Sequence, residues 1–464
     1  MPQLPDLNHL SHAEKDALIH ALWAQVQGLT ARVAALEARL GEPGKTPDNS
    51  SLPPSKGQKP NQPEKATRIG PRKGSLGRTG GGRPLACDPD ETVTAKAVAC
   101  MHCQAALTDV DQVLHGRYDK IDLPVVRPVV TRVERYAGHC PCCGGVTLAA
   151  IPAGLEDGSP FSVNIVALAI YLRFTHAISY RRLTQLFLHL YALQISEGAL
   201  DAMLQRAKPC FDNEVAAILA RLRRSRIVCS DETSVRIDGR THWNWVFQND
   251  QVVIHVVRNS RAASVVTETM AGHRPSIWVS DLYGAQQGHA DPRVQRPGAC
   301  LWQVSLAHQL RDCKYAIEAG DTIFAPRMKA LLLRAVVLAR RRRSLAESTR
   351  RSYQRRLDHE LNAIMVLAPT NHHGRRLRKR YGKVRSHLFT FLEHPEVPPD
   401  NNGSERELRP TATYRKVTGG FRSKWGADLF AGFRSVVGTA ARQGKNAYQA
   451  IRVVLDGESV IQPG

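Results

Sequence analysis

The sequence lacks a long hydrophobic run, and its first residues lack the pattern of a secretory leader. No apolar stretch reaches the roughly 18 residues that a membrane-spanning helix requires. Residues 1–6 do not show the charged and then apolar pattern of a signal peptide. We therefore expect a cytoplasmic protein. In a reducing compartment, its ten cysteines are better suited to metal binding or to the core than to disulfides.

Acidic residues are scarce relative to basic ones. The chain has 42 Asp and Glu against 64 Lys and Arg, which gives a formal net charge of +22. Such an excess of cations favours nucleic acid as the partner, because neutralising phosphates releases counterions; a merely soluble basic protein is the alternative. Double-stranded DNA as the partner would imply a nucleoid-associated protein. The 464 residues predict two to four domains.

The first 41 residues carry a heptad repeat. β-Branched residues at position a with leucine at position d favour a parallel two-stranded coiled coil, and hence a homodimer or higher oligomer. An amphipathic helix docked on its own chain is the alternative. The repeat consists of Ile19, Val26, Val33 and Leu40 at a, and of Leu22, Leu29 and Leu36 at d.

Residues 42–85 are rich in Pro, Gly, Ser and basic residues and poor in large apolar ones. We expect a disordered linker there. Its cations either contact DNA phosphates without sequence preference or belong to a solvated spacer.

Two Cys-x-x-Cys pairs lie in the segment 86–150. Each pair can present two thiolates to one tetrahedral Zn²⁺, so the segment is predicted to be a zinc-binding module. Cys142 could replace Cys143, and His102 or His139 could compete. The predicted zinc ligands are Cys100, Cys103, Cys140 and Cys143. Lone buried thiols are the better interpretation of Cys87, Cys210, Cys229, Cys300 and Cys313.

Residues 151–225 have a helical pattern. Helices are expected at 179–191 and 196–207, joined by a short turn, with Ser196 as the N-cap of the second. The pair is either a DNA-binding helix-turn-helix, with the second helix in a major groove, or a structural helical pair.

Strand-like runs follow in quick succession from residue 226. They cover residues 226–235, 242–249, 251–259, 276–281 and 300–306, with a helix expected at 262–270. Three strands in meander, then a helix and further strands, predict an α/β ribonuclease-H-like sheet, in which the first strand is central and the fourth lies beside it. We expect this catalytic domain to span residues 226–440, with a basic α-helical insertion at about 312–398 and a C-terminal helix and tail at 441–464.

Three carboxylates occupy informative positions. Asp231 and Asp281 each end an apolar run, and Glu405 lies in the first turn of a predicted helix. Carboxylate oxygens suit Mg²⁺ or Mn²⁺, and two such ions about 3.5–4 Å apart can clamp the attacking and leaving oxygens of a phosphodiester. Taken singly, a turn-capping role for the aspartates and a helix-dipole role for the glutamate are the alternatives. Glu407 is turned about 200° from Glu405, so both cannot face the same ions.

Several segments resemble the transposase family of insertion sequence 66, whose members are DDE-type enzymes. The most specific are NNGSERELRP at 401–410 and GGFRS at 419–423, which resemble its C-terminal signature. SDET at 230–233 and SDLY at 280–283 resemble the regions of its first two aspartates. The similarity extends over nearly the whole chain.

The resemblance implies that Asp231, Asp281 and Glu405 form a catalytic triad that binds two Mg²⁺ or Mn²⁺ ions. It implies a bacterial insertion-sequence transposase that binds the terminal repeats of its element and catalyses strand cleavage and strand transfer. Accessory proteins of the same element are compatible with it. A zinc-containing DNA-binding regulator and a ribonuclease-H-like nuclease without strand transfer are the alternatives.

Other residues are candidates for contacts with DNA. His308 matches a family histidine, but Ser305 stands where members commonly have a cysteine. Arg311 lies one helical turn after His308, and both are candidates for positioning DNA. Arg406, Arg409 and Lys416 are candidate phosphate contacts. Trp243 and Trp245 share one strand face, where they either pack in the core or stack on a flipped base.

Overall fold

The computed structural model describes residues 9–40, 42–46, 48–49, 83–287 and 300–461, with only the backbone of residues 34–40. The side chains of Leu36 and Leu40 and the linker segment 50–82 therefore lie outside the described residues. The chain divides into two compact units. The larger comprises Met1–Gln58, Val133–Gln185 and Ile195–Gly464, and the smaller comprises Lys59–Arg132 and Leu186–Gln194.

Helices predominate in the described residues. The strands are β1 (Ala137–His139), β2 (Val146–Leu148), β3 (Ile227–Ile237), β4 (Arg240–Gln248), β5 (Val253–Arg258), β6 (Ile277–Ser280) and β7 (Leu301–Val304). The α-helices are α1 (His12–Leu40), α2 (Val163–Phe174), α3 (Tyr180–Tyr191), α4 (Glu197–Leu222), α5 (Ala263–Met270), α6 (Gly284–Gln287), α7 (Leu306–Glu318), α8 (Phe324–Arg341), α9 (Glu347–Met365), α10 (His372–Val384), α11 (Thr390–Glu393), α12 (Asn402–Thr418), α13 (Lys424–Arg442) and α14 (Ala447–Leu455).

A five-stranded mixed sheet of order β5-β4-β3-β6-β7 forms in the larger unit. Strands β5, β4 and β3 form an antiparallel meander, and β6 and β7 continue it in parallel. The predicted strands are confirmed, with ends that differ by at most two residues. Strand β3 is central with β6 beside it, as predicted. Strand β6 is buried along its whole length, as expected of parallel strands covered on both faces.

Helix α13 protects the edge strand β5. The backbone N–H groups of Val253 and His255 donate to the hydroxyls of Thr439 and Ser435, at 3.1 and 2.8 Å. Unpaired edge groups would otherwise be open to another strand. The hydroxyls on this buried helix face therefore complete the hydrogen bonding of the sheet.

The segment predicted to be a helical insertion contains helices α8 to α11. They follow α7 in the chain and precede α12, the helix that carries Glu405. Apolar residues such as Leu331, Leu361 and Tyr381 form the buried side of the segment. Most of its basic residues lie on the exposed side. Packing of one apolar face thus explains why a strongly basic segment still folds into helices.

Helices α3 and α4 match the predicted pair, and the Ser196 hydroxyl accepts a hydrogen bond from the Ala199 N–H at 3.1 Å. The second helix is longer than predicted. It continues through Pro209 to Leu222 because Phe211, Ile218 and Leu222 enter the core, and tertiary packing overrides the local helix-breaking signal.

Helix α1 forms as predicted, and its heptad residues are exposed. Ile19 and Leu29 each expose about three-fifths of their surface, at 62% and 60%. Beyond the helix, Asn49 is buried and its side-chain amide donates to Glu318 on α7 at 2.6 Å. The beginning of the predicted linker therefore packs on the helical part of the larger unit.

Candidate active site

The register of β3 and β6 brings two aspartates together. Parallel pairing places Cys229 beside Val279. Asp231 and Asp281 each follow two residues further along the chain, and the charge of Asp281 acts on the Asp231 carboxyl. Burial raises the pKa of the Asp231 carboxyl well above its usual range, and the charges of Asp281, Glu232 and Glu405 raise it further. The site therefore concentrates negative charge that a cation would relieve.

The first turn of α12 directs Glu405 toward the same place. Its carboxylate lies 3.5 Å from Nε2 of His308 and 3.4 Å from the guanidinium of Arg311. The two guanidinium nitrogens Nη1 and Nη2 each donate to a different carboxylate oxygen, at 3.4 Å. Sequence reasoning identified these three residues separately, and the structure brings them together.

Glu407 faces away from this site, as the helical geometry predicted. It forms ion pairs with Arg442 at 2.9 Å and Arg434 at 3.7 Å, and lies 3.8 Å from His255. Burial opposes its ionisation, but the nearby His255 and the charge of Arg442 prevail and lower the pKa of Glu407 to about 2. Burial also lowers the pKa of His255, so the two arginines supply the compensating charge at neutral pH.

The residue types of the triad fit hard divalent ions. The ligand oxygens of the triad do not all lie within 4.8 Å of one another.

In the described part of the chain, that spacing is met by a different group: Glu42, His372 and His373. The Glu42 carboxylate lies 3.3 Å from His372 and 3.1 Å from His373. Glu42 thus lies beside the first turn of α10, where an anion is favourable, while Asn371 caps the helix through its side chain.

Ser305 has a structural role in place of the family cysteine. Its hydroxyl accepts a hydrogen bond from the Asn401 N–H at 3.1 Å and contacts Nδ1 of His308 at the same distance. Ser305 therefore orients the histidine that faces Glu405, and it joins the start of α7 to the start of α12.

Two candidate phosphate contacts of α12, Arg409 and Lys416, lie on the side of the helix that carries Glu405, and Arg406 lies about a quarter-turn away. Arg406, Arg409 and Lys416 are exposed. At 100° per residue they lie about 100°, 40° and 20° around the helix axis from Glu405. Together they form a basic stripe, defined here as these three residues.

The two tryptophans of β4 differ in their environment. Trp245 is fully buried, and its Nε1 donates to the Ser260 carbonyl at 3.2 Å, so core packing is confirmed for it. Trp243 is half-buried, and the Arg261 guanidinium lies 4.7 Å from its ring centroid.

Sequence reasoning missed Glu232, whose side chain is 1% exposed and pairs with Arg261 at 2.6 Å. Burial and then the charge of Asp281 raise the pKa of Glu232, against the opposing effect of Arg261. Its position next to Asp231 in the SDET segment was the available signal.

The two cysteine pairs form local turns of the same design. In the first turn, in the smaller unit, the Cys100 N–H donates to the Ala105 carbonyl and the Gln104 N–H donates to the Cys100 carbonyl. In the second turn, in the larger unit, the Cys140 N–H donates to the Gly145 carbonyl and the Gly144 N–H donates to the Cys140 carbonyl. Backbone N–H groups lower the pKa of the first thiol of each pair. The repeat makes Cys143 the equivalent of Cys103, which favours Cys143 over Cys142.

The remaining cysteines differ in their exposure. Cys229 and Cys313 are buried as predicted, and Cys210 and Cys300 are partly buried. The prediction for Cys87 is wrong, because this residue is exposed; its surroundings, residues 83–98, provide no apolar face to cover it.

No helix among the described residues is both long and apolar enough to cross a membrane. Residues 2–82 match a family of unknown function, DUF6444. No curated protein matches the chain. Residues 158–429, which include the five-stranded sheet and all of α12, match the family described as Transposase IS66 family. Since this match covers more than half of the chain, the protein belongs to the IS66 family of transposases.

Proposed function

We propose that this transposase binds the terminal repeats of a bacterial insertion sequence and catalyses metal-dependent cleavage and transfer of the DNA strand. Asp231, Asp281 and Glu405 would act as a DDE triad on a ribonuclease-H-like sheet. The observation that carries the proposal is that the charges of Asp281, which follows β6, and Glu405, at the start of α12, both act on the buried Asp231 carboxyl of β3. Arg311 pairs with Glu405.

The triad would hold two Mg²⁺ or Mn²⁺ ions. Bound there, such ions supply activation of a water or DNA 3′-hydroxyl and stabilisation of the leaving 3′-oxygen. The raised pKa of Asp231 means that its carboxyl retains a proton to higher pH than an ordinary aspartate. Asp231 would release this proton when a cation replaces it. Arg311 and His308 hold the Glu405 carboxylate in place beforehand.

The DNA would lie along the basic stripe of α12 and the exposed cations of the insertion. The stripe flanks Glu405, so phosphates bound there would lead into the carboxylate site. Helices α3 and α4 are proposed to contribute to recognition of the element ends, and α1 to dimerisation through its exposed heptad residues. Such pairing would help to hold two DNA ends together.

Zinc is proposed as a structural ion bound by Cys100, Cys103, Cys140 and Cys143. Each turn already provides two thiols, and the first thiol of each has a lowered pKa that favours the thiolate a metal needs. Zinc content of the purified protein measured by mass spectrometry, with Cys103→Ser and Cys142→Ser compared, tests this. Loss of zinc only in the first variant is expected; loss in neither would refute the assignment.

The catalytic proposal is tested with DNA that carries the ends of the element. Mg²⁺- or Mn²⁺-dependent cleavage and strand transfer are measured for the wild type and for Asp231→Asn, Asp281→Asn and Glu405→Gln. Glu458→Gln, an exposed glutamate outside α12, is the matched control. We expect all three triad variants to lose cleavage and strand transfer and to retain binding of the ends. The control should retain both activities and binding.

Other outcomes distinguish the alternatives. Cleavage without joining would indicate a nuclease. Specific binding without metal-dependent cleavage, even with accessory proteins of the element supplied, would indicate a regulator. Cleavage retained by a purified triad variant would refute the assignment of that residue.

A further inference from the structure

An arginine next to the carboxylate site is held in a fixed orientation. Nε and Nη2 of Arg261 donate to the same oxygen of Glu232, at 2.9 and 2.6 Å. The guanidinium also lies over two aromatic rings, 3.8 Å from the centroid of Tyr283 and 4.7 Å from that of Trp243. Stacking of a guanidinium on rings adds attraction and restricts its motion.

The arginine and its carboxylate partner differ in exposure. The side chain of Glu232 is 1% exposed, and that of Arg261 is 39% exposed. The second oxygen of Glu232 accepts a hydrogen bond from the buried Gln286 amide at 2.6 Å, so both carboxylate oxygens are engaged. The carboxylate therefore fixes one edge of the guanidinium from inside the protein, while the group remains accessible from solvent on its other side.

The held arginine is linked to the triad by short contacts. Tyr283 donates its hydroxyl to the Arg261 carbonyl at 2.9 Å and its backbone N–H to the Asp281 carboxylate at the same distance. Glu232 is the chain neighbour of Asp231. Since successive side chains of a strand point to opposite faces, Arg261 approaches from the face of β3 opposite to that of Asp231.

We infer that Arg261 binds a phosphate of the DNA strand that flanks the phosphodiester to be cut, with Glu232 as the residue that positions it. This inference rests on the proposed function. An arginine provides planar, directional donors that match phosphate oxygens, and an arginine fixed before binding loses little side-chain entropy when the phosphate arrives. A surface ion pair with folding as its only role would not require two stacked rings and a fully buried partner.

The test combines Arg261→Ala with DNA in which single phosphates near the cleavage site are replaced, one at a time, by neutral methylphosphonates. Equilibrium binding to end DNA is measured in Ca²⁺, so the readout does not depend on cleavage. At the contacted phosphate, we expect the replacement to weaken binding by the wild type roughly tenfold to a hundredfold. In Arg261→Ala the same replacement should cost less than about twofold, because the contact is already absent.

Two further variants separate contact from folding. Arg261→Lys keeps the charge but cannot form the same double hydrogen bond. The methylphosphonate should therefore weaken its binding by a factor between those of the wild type and Arg261→Ala. In Glu232→Gln, which keeps Arg261, the methylphosphonate should also weaken binding less than in the wild type. Thermal melting checks that this variant is folded. If, at every phosphate tested, the methylphosphonate weakens binding by the same factor in the wild type and in Arg261→Ala, the inference is wrong. This holds whether or not the wild type cleaves DNA. If the effect of the methylphosphonate depends on Arg261 but the wild type shows no metal-dependent cleavage, the proposed chemistry fails and the phosphate contact stands.

Discussion

The side-chain amide of Asn401 donates a hydrogen bond of 2.7 Å to the backbone carbonyl of Ser230. The amide oxygen of Asn401 accepts from the Ser404 hydroxyl at 2.7 Å, and its backbone N–H donates to Ser305 at 3.1 Å. One buried asparagine therefore joins the strand that carries Asp231, the helix that carries Glu405 and the start of α7.

Replacement of Asn401 by alanine should misplace Glu405 relative to Asp231. It leaves the Ser230 carbonyl and the Ser404 hydroxyl without these partners in a buried place, so we expect a loss of about 2 kcal/mol in the free energy of unfolding. Strand cleavage should fall at least tenfold. Urea unfolding and a cleavage assay measure both, with the half-buried neighbour in Asn402→Ala as the control. A variant as stable and as active as the control would contradict this role.

The glycines of the GGFRS segment have a structural role. Gly419 ends α12 with a φ of 73°, and Gly420 has a φ of 117°. A Cβ added at Gly420 would lie 2.7 Å from the Arg236 carbonyl oxygen. Gly420→Ala should therefore destabilise the protein by more than about 1 kcal/mol. Gly444→Ala is the control, because Gly444 also has a positive φ, of 76°, but meets no atom within 4 Å. Equal melting temperatures would contradict the importance of the close approach.

Much of the sheet could be predicted because its signals are local. The apolar runs fix the strands to within two residues, and the pairing of β3 with β6 then brings Asp231 and Asp281 together. The 3.6-residue helical period was enough to separate Glu405 from Glu407. These conclusions need only the spacing of residues within single elements and one assumption about strand order.

The contacts that complete the site could not be predicted, because they join distant parts of the chain. Arg261 meets Glu232 across 29 residues, and Asn401 meets Ser230 across 171. Neither contact has a spacing that marks it in the sequence. The same holds for the packing of Asn49 on α7, since nothing in a Pro- and Gly-rich segment indicates which residue will be buried.

The basic stripe should contribute phosphate contacts. Removal of one such contact in Arg409→Ala should weaken binding to all DNA sequences alike and reduce the slope of log affinity against log salt concentration by about 1. Binding measured at several salt concentrations tests this, with Arg224→Ala as an exposed arginine outside α12. An unchanged slope, or the same change in the control, would remove Arg409 from the interface.

Helix α1 should mediate self-association. Leu29 is 60% exposed at a d position of the heptad, and a lysine there would place a charge in a coiled-coil seam. We expect Leu29→Lys to reduce the mass measured by light scattering toward that of a monomer, while the melting of the larger unit is unchanged. Gln27→Lys, on the polar side of the same helix, should leave the mass unchanged. A wild type that is already monomeric would refute the coiled coil.

Glu407 should make the stability of the protein depend on pH below neutrality. Its pKa is lowered in the folded state from an ordinary 4.5 to about 2, so its stabilising effect is complete above the ordinary value and is lost as the pH falls toward 2. The shift corresponds to about 3 kcal/mol. Glu407→Gln should therefore be less stable than the wild type at pH 7, because Arg434 and Arg442 lose their counter-charge.

The difference in the free energy of unfolding between Glu407→Gln and the wild type should narrow as the pH falls below 4.5. Urea unfolding at pH 7, 5 and 3.5 measures it, and Glu458→Gln provides an exposed control whose difference should stay near zero. Other carboxylates titrate in the same range, but they affect the variant and the wild type alike. A difference that stays constant across this range would show that Glu407 has no lowered pKa in the folded protein and that its ion pairs with the two arginines do not stabilise the fold.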